Sequence, residues 1–142
     1  MFVLWIALVP SGIGEPSPLR DGLERLSPAW AALWLIFRIA GATLTVPLAE
    51  ELAFRGYLLR RLQSADWHEL SPGLFSWVSL LISSLLFGVM HGSWLAGTLA
   101  GLAYAVAVYR RGNLLDAVLA HATTNALLAG YVLATGAWAL WS

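Results

Sequence analysis

The sequence predicts an all-α fold, a polytopic transmembrane helix bundle with about four to five membrane helices. Three observations predict it. Of 142 residues, 59% are hydrophobic and only 11% are charged, where a soluble domain carries about 25% charge. That leaves too little polar surface to coat a water-facing domain of this size. Long apolar runs recur, each separated from the next by a short polar turn. Eight Trp suit the belts that membrane proteins place at headgroup level. The eight basic residues are all Arg and are balanced by eight acids, so no basic field exists to draw nucleic acid. With no Cys, disulfides, thiolate metal sites and Cys nucleophiles are excluded.

Residues 1–27 form a first unit. Met1–Pro10 is apolar but too short to cross a bilayer. It reads as the remnant of a truncated N-terminal helix or as an interfacial piece. Ser11–Ser27 is rich in Gly, Pro, Ser and charge, and reads as a water-exposed loop with a short amphipathic turn. Residues 28–142 form the bundle. Its first span opens at Ser27-Pro28, an N-cap followed by Pro at the first helical position. The pattern runs on to Leu62, about 50 Å at 1.5 Å per residue, against a hydrocarbon core of about 30 Å. That helix must tilt, bend at Pro47 or project. Gln63–Pro72 is a polar loop. A second span covers Gly73–Met90, a third Trp94–Tyr109 and a fourth Leu114–Trp141, softened near Gly136. Gly88/Gly92 and Gly97/Gly101 have the small-xxx-small spacing of close helix pairs. Arg60, Arg61, Arg110 and Arg111 fall on one side, which the positive-inside rule makes cytoplasmic.

Polar groups within the spans are the informative residues, since each charge costs about 2.5–3.5 kcal/mol on insertion scales. Glu51 and Arg55 are i, i+4 neighbours and neutralise each other. Glu50 is turned about 100° away with no local partner. His91 ends an apolar span, and Phe87 lies one turn earlier on its face, placed to wall a pocket. His121 and Asn125, again i, i+4, point the same way from an apolar helix. Such a pair serves interhelical hydrogen bonding or an oxyanion site. Glu50 and His121 each lie about 15 Å from the nearest arginine pair, at matching depth.

Glu50-Glu51-x-x-x-Arg55, Phe87-x-x-x-His91 and His121-x-x-x-Asn125, in this order and on separate spans, resemble the three motifs of the CPBP family, the CAAX-prenyl-protease-like or Abi intramembrane proteases. The resemblance covers Val46 to Leu128. Val46–Leu62 also looks like the branch associated with exosortase systems. The resemblance implies an intramembrane endopeptidase acting on a membrane-anchored protein or peptide, multi-pass in the lipid bilayer (the inner membrane, for a bacterial chain), its site open toward the cytoplasm. It implies Glu50 as the base that activates water, His91 as a second holder of that water, and His121 and Asn125 as donors to the oxyanion. Glu51, Arg55 and Phe87 are supporting residues. No cofactor is favoured. Zinc on Glu50, His91 and His121 stays open as an alternative, although no His-Glu-x-x-His helix is present. A non-catalytic immunity or scaffold protein of the same family is the rival reading. The family usually has more spans than this chain, which leaves room for a partner subunit supplying further helices.

Overall fold

Each long helix starts and stops where local chemistry dictates. The computed structural model describes residues 1–141, which hold six helices. They are α1 (Phe2–Leu8), α2 (Pro18–Glu24), α3 (Pro28–Arg61), α4 (Trp77–Val89), α5 (Trp94–Arg111) and α6 (Leu114–Thr135), with 3₁₀ turns at Trp67–Glu69 and Trp138–Trp141. Ser27 is extended before Pro28 but its side chain makes no capping bond. Ser76 caps α4 by accepting from Ser79 N at 3.3 Å, and Asn113 caps α6 by accepting from Leu115 N at 3.0 Å. Gly112 and Gly136 end α5 and α6 at φ +65° and +72°, a backbone that glycine adopts without strain.

The long helix does depart from regularity around Pro47. Gly41–Thr45 and Leu52–Leu58 are π-helical, flanking an α-helical Val46–Glu51. Val46 N–H already bonds Gly41 O. The wide-turn partner of Ala42 O would then be the nitrogen of Pro47, which has no hydrogen to give. The side chain of Asn125 fills that gap, donating from Nδ2 to Ala42 O at 2.8 Å.

Packing is inverted relative to a soluble protein. On α4 the buried face is Ser79, Leu80, Ser83, Ser84, Phe87 and Gly88, while Val78, Leu81, Ile82, Leu85, Leu86 and Val89 are exposed. On α3, Trp30, Phe37, Leu44, Leu48 and Leu52 are exposed, and only 6% of its most apolar window is buried. Water does not tolerate so much continuous apolar surface; lipid does. Among the described residues two helices, α3 and α6, are long and apolar enough to cross a bilayer alone, rather than the four to five expected. The second span is the clearest shortfall. Its helix starts after the Ser76 cap rather than at Gly73, so its 13 residues reach only about 20 Å.

Helices α4 and α5 meet backbone to backbone. A Cβ on Gly101 would sit 2.9 Å from Ser84 Cα, and one on Gly97 would sit 2.9 Å from Gly88 Cα. Gly92, expected in the same contact, faces open space. The two arginine pairs do share one end of the molecule. Gly73, in the loop after Arg60 and Arg61, lies against Gly112, which follows Arg110 and Arg111. At the other end, α1 packs Met1 and Trp5 onto the core around Phe54, Phe87 and Tyr104, and Phe2 meets Tyr131 edge-on.

Candidate active site

Two neighbouring carboxylates on α3 have different surroundings. Glu51 is fully buried. Its Oε1 accepts from Arg55 Nη1 at 3.1 Å and meets His121 Nδ1 at 2.9 Å. The Arg55 guanidinium also donates from Nη2 to Gly101 O at 2.8 Å and lies 4.4 Å over the Phe87 ring. That bond needs α5 close by, which the missing side chain of Gly101 allows. Tyr104 stacks on His121 at 4.7 Å and 16°. The expected Glu51–Arg55 pairing is therefore present, and it has a third member, His121, from α6.

Glu50 faces the other way. Its Oε2 lies 3.9 Å from His91 Nε2 and is buried with no hydrogen-bond partner within the protein. His91 comes to it from the turn after α4. Its Nδ1 is 2.7 Å from Phe87 O, an acceptor only, so Nδ1 carries the hydrogen and Nε2 of the neutral ring offers a lone pair toward Glu50. The same logic holds for His121. With Nδ1–H given to Glu51 Oε1, Nε2 of a neutral ring is an acceptor.

A cavity of about 510 Å³ opens beside these groups. His91, His121, Asn125 and Phe87 line it, as do Tyr104 and Trp5. Glu50 is absent from its lining, so His91 is the group that connects Glu50 to it. The sequence placed Glu50, His91, His121 and Asn125 around one centre. The fold brings Glu50 to His91 and sets His91, His121 and Asn125 on one cavity. It also turns Nδ1 of His121 to Glu51 and commits an Asn125 amide hydrogen to Ala42 O, so neither is a simple free donor. Among the described residues no three His, Asp or Glu side chains form a group that could hold a metal. The suggested trio of Glu50, His91 and His121 is included in that.

The cavity does not face the arginine end. Its lining extends from Tyr104 and His121 to Ser93, Arg38 and Trp141, and Arg38 lies 22 residues before Arg60, about 33 Å along α3. A cytoplasmic arginine end and a cytoplasm-facing site, both expected from sequence, point to opposite halves of the molecule. Two contributors were missed. Tyr104 belongs to no motif, and only its position one turn from Gly101 and Ala100 on the buried face of α5 marks it. Trp5 meets His91 edge-on at 5.9 Å, so the unit expected to be a remnant helps wall the cavity.

The molecule is all-helical, with an inverted, lipid-compatible surface and a carboxylate–imidazole pair beside a cavity. A family model, the Rce1-like type II CAAX prenyl endopeptidases, matches residues 31–127, about two thirds of the chain. The chain belongs to this family, a family of proteases. No curated protein and no solved structure matches it. The matched residues contain all three motifs, and the membrane is where the family and the two apolar helices place it.

Proposed function

We propose that the protein is an intramembrane endopeptidase of the glutamate type, cleaving a peptide or membrane-anchored protein with water activated by Glu50 and His91. The observation that carries this is the 3.9 Å approach of Glu50 Oε2 to His91 Nε2. Two acceptors about 4 Å apart match the two hydrogens of one water held about 2.8 Å from each. In the reaction the water oxygen attacks the scissile carbonyl carbon while Glu50 takes one proton. Glu50 then gives that proton to the departing amine nitrogen as the C–N bond breaks, leaving an acid and an amine. His121 donates to the oxyanion from Nε2 in its protonated form, keeping Nδ1–H on Glu51, and Asn125 offers its second amide hydrogen. Positive-inside bias places the arginine end in the cytoplasm and with it the cavity in the opposite half.

The test uses the purified chain in lipid vesicles with apolar peptides, read by mass spectrometry. Glu50→Gln should lower cleavage by about 10²-fold or more with helicity and yield retained. Undiminished cleavage by this variant ends the proposal. A chelator should change little; inhibition reversed by added zinc would replace the glutamate base with a metal. Peptide binding without any cleavage by the unaltered protein would favour the non-catalytic rival. Because the chain contains no Cys, Ser64→Cys and Ser93→Cys report the two ends to an impermeant thiol reagent. Labelling of Ser93→Cys from the cytoplasmic side would reverse the orientation.

A further inference from the structure

On the buried face of α5, Tyr104 is the one large side chain; the others, from Ala96 to Val108, are no larger than valine. Those small residues let α4 and α5 touch. The ring of Tyr104 reaches past that contact to α6. There it stacks on His121, centroids 4.7 Å apart and planes 16° from parallel, and it lines the cavity beside that residue. Among the described residues the His121 ring makes one hydrogen bond, from Nδ1 to Glu51 Oε1 at 2.9 Å. A single bond leaves a ring free to turn about the line through it. Two neighbouring rings remove that freedom. Tyr104 covers the face of the imidazole, and Phe87 meets it edge-on at 5.9 Å and 75°. Phe87 also meets Tyr104 edge-on at 6.2 Å and 89° and lies 4.5 Å from the His91 ring. Stacked and edge-on geometries are the favoured ones for such pairs, so one aromatic frame sets both imidazoles of the site.

Resting on the peptidase reading, in which His121 serves the oxyanion, we propose that Tyr104 is a positioning residue for the hydrolysis. Its ring fixes the plane of the His121 imidazole and keeps Nε2 on the cavity side. Glu51, which holds the opposite edge of that imidazole, is not part of the cavity lining. A donor to an oxyanion is effective when it is aimed before charge develops, and a donor displaced by a fraction of an ångström costs rate rather than binding. The acting part of Tyr104 is the ring face. The hydroxyl has no share in the role, and an aliphatic side chain of similar bulk fills the space without fixing the plane.

The test uses the full chain in lipid nanodiscs with Tyr104→Phe and Tyr104→Leu, and with Tyr104→Met as a second aliphatic variant should leucine lower the folded yield. Isotope-labelled histidine reports the ring nitrogens by solid-state NMR. The chain has three His, and His121→Gln identifies the His121 signals by removing them. The unaltered protein and Tyr104→Phe should show one His121 ring state with hydrogen on Nδ1. The aliphatic variants should show mixed or exchange-broadened states. In peptide cleavage, Tyr104→Leu should lower kcat about tenfold with KM held within about twofold, and the conservative Tyr104→Phe should restore most of the loss. An unchanged His121 spectrum in the aliphatic variants overturns the proposal. So does an unchanged kcat, or a loss confined to KM, which would make Tyr104 a substrate contact. Tyr104→Phe as slow as Tyr104→Leu would assign the role to the hydroxyl and overturn it too. If the unaltered protein cleaves nothing, the peptidase reading fails, and the histidine spectra still decide whether Tyr104 fixes His121.

Discussion

Glu51 and Glu50 sit one residue apart on α3, yet one belongs to a closed knot and the other to an open edge. Glu51 has Arg55 and His121 on a single oxygen, with no exposure. Glu50 is half-buried, and its Oε2 lies 3.9 Å from His91 Nε2, beyond direct hydrogen-bond reach. The difference comes from helical rotation. A step of about 100° carries one carboxylate against α5 and α6 and the other toward the turn after α4. Two neighbouring carboxylates thus divide into one that bonds Arg55 and His121 and one whose buried Oε2 has no partner within the protein among the described residues. Substituting each in turn should break their apparent equivalence.

The largest effect belongs to the knot. Glu51→Ala leaves the Arg55 guanidinium buried without its carboxylate, a loss of about 3–5 kcal/mol. Glu51→Ala and Arg55→Ala should therefore each sharply reduce folded protein in detergent, followed by thermal unfolding and gel filtration. Glu50→Gln should shift unfolding little, because no bond within the protein is lost. If Glu50→Gln unfolds the chain as readily as Glu51→Ala, the two carboxylates are not divided in this way.

A second comparison sets Gly101 against Gly92. Gly101→Ala would press a methyl 2.9 Å from Ser84 Cα and push α5 off the carbonyl that holds Arg55. Overpacking of this kind costs about 1–3 kcal/mol. Gly92→Ala meets nothing within 4 Å and should leave the melting temperature in place. Melting curves of the two variants read this directly, and an equal drop in both would mean α4 and α5 are not in backbone contact there.

Much of the site was legible because helices convert spacing into direction. The i, i+4 relation of Glu51 and Arg55 and the rotation of Glu50 away from them both follow from 3.6 residues per turn. The matched depth of Glu50 and His121 rested on the same arithmetic, and a bond between Glu51 and His121 answers it. What escaped depends on contacts between distant segments. Nothing local tells that Ser76 outcompetes Gly73 as the start of α4. Nothing in Phe2–Leu8 says that Trp5 will turn toward His91. The direction of the cavity was also hidden, since arginine counts report which end faces water and not which half is hollow.

The smallest effect is the most discriminating, because it separates the two readings of Asn125. As a splint, Asn125 exists to satisfy Ala42 O, which Pro47 leaves without a backbone partner. As an oxyanion donor it would serve the cavity whatever residue stands at 47. Asn125→Ala should cost about 1–2 kcal/mol of stability through the orphaned carbonyl. Pro47→Ala supplies the missing N–H, so in that background Asn125→Ala should cost about 0.5 kcal/mol or less, a coupling within the range of contacting residues. Cleavage should still fall in the double variant if the second amide hydrogen faces the oxyanion, and should recover with stability if the splint is its whole role. A cost for Asn125→Ala that is the same with Pro47 and with Ala at that position would show that the wide turn does not depend on the proline. The measurement therefore reads local backbone chemistry and the chemistry of the site from one pair of substitutions.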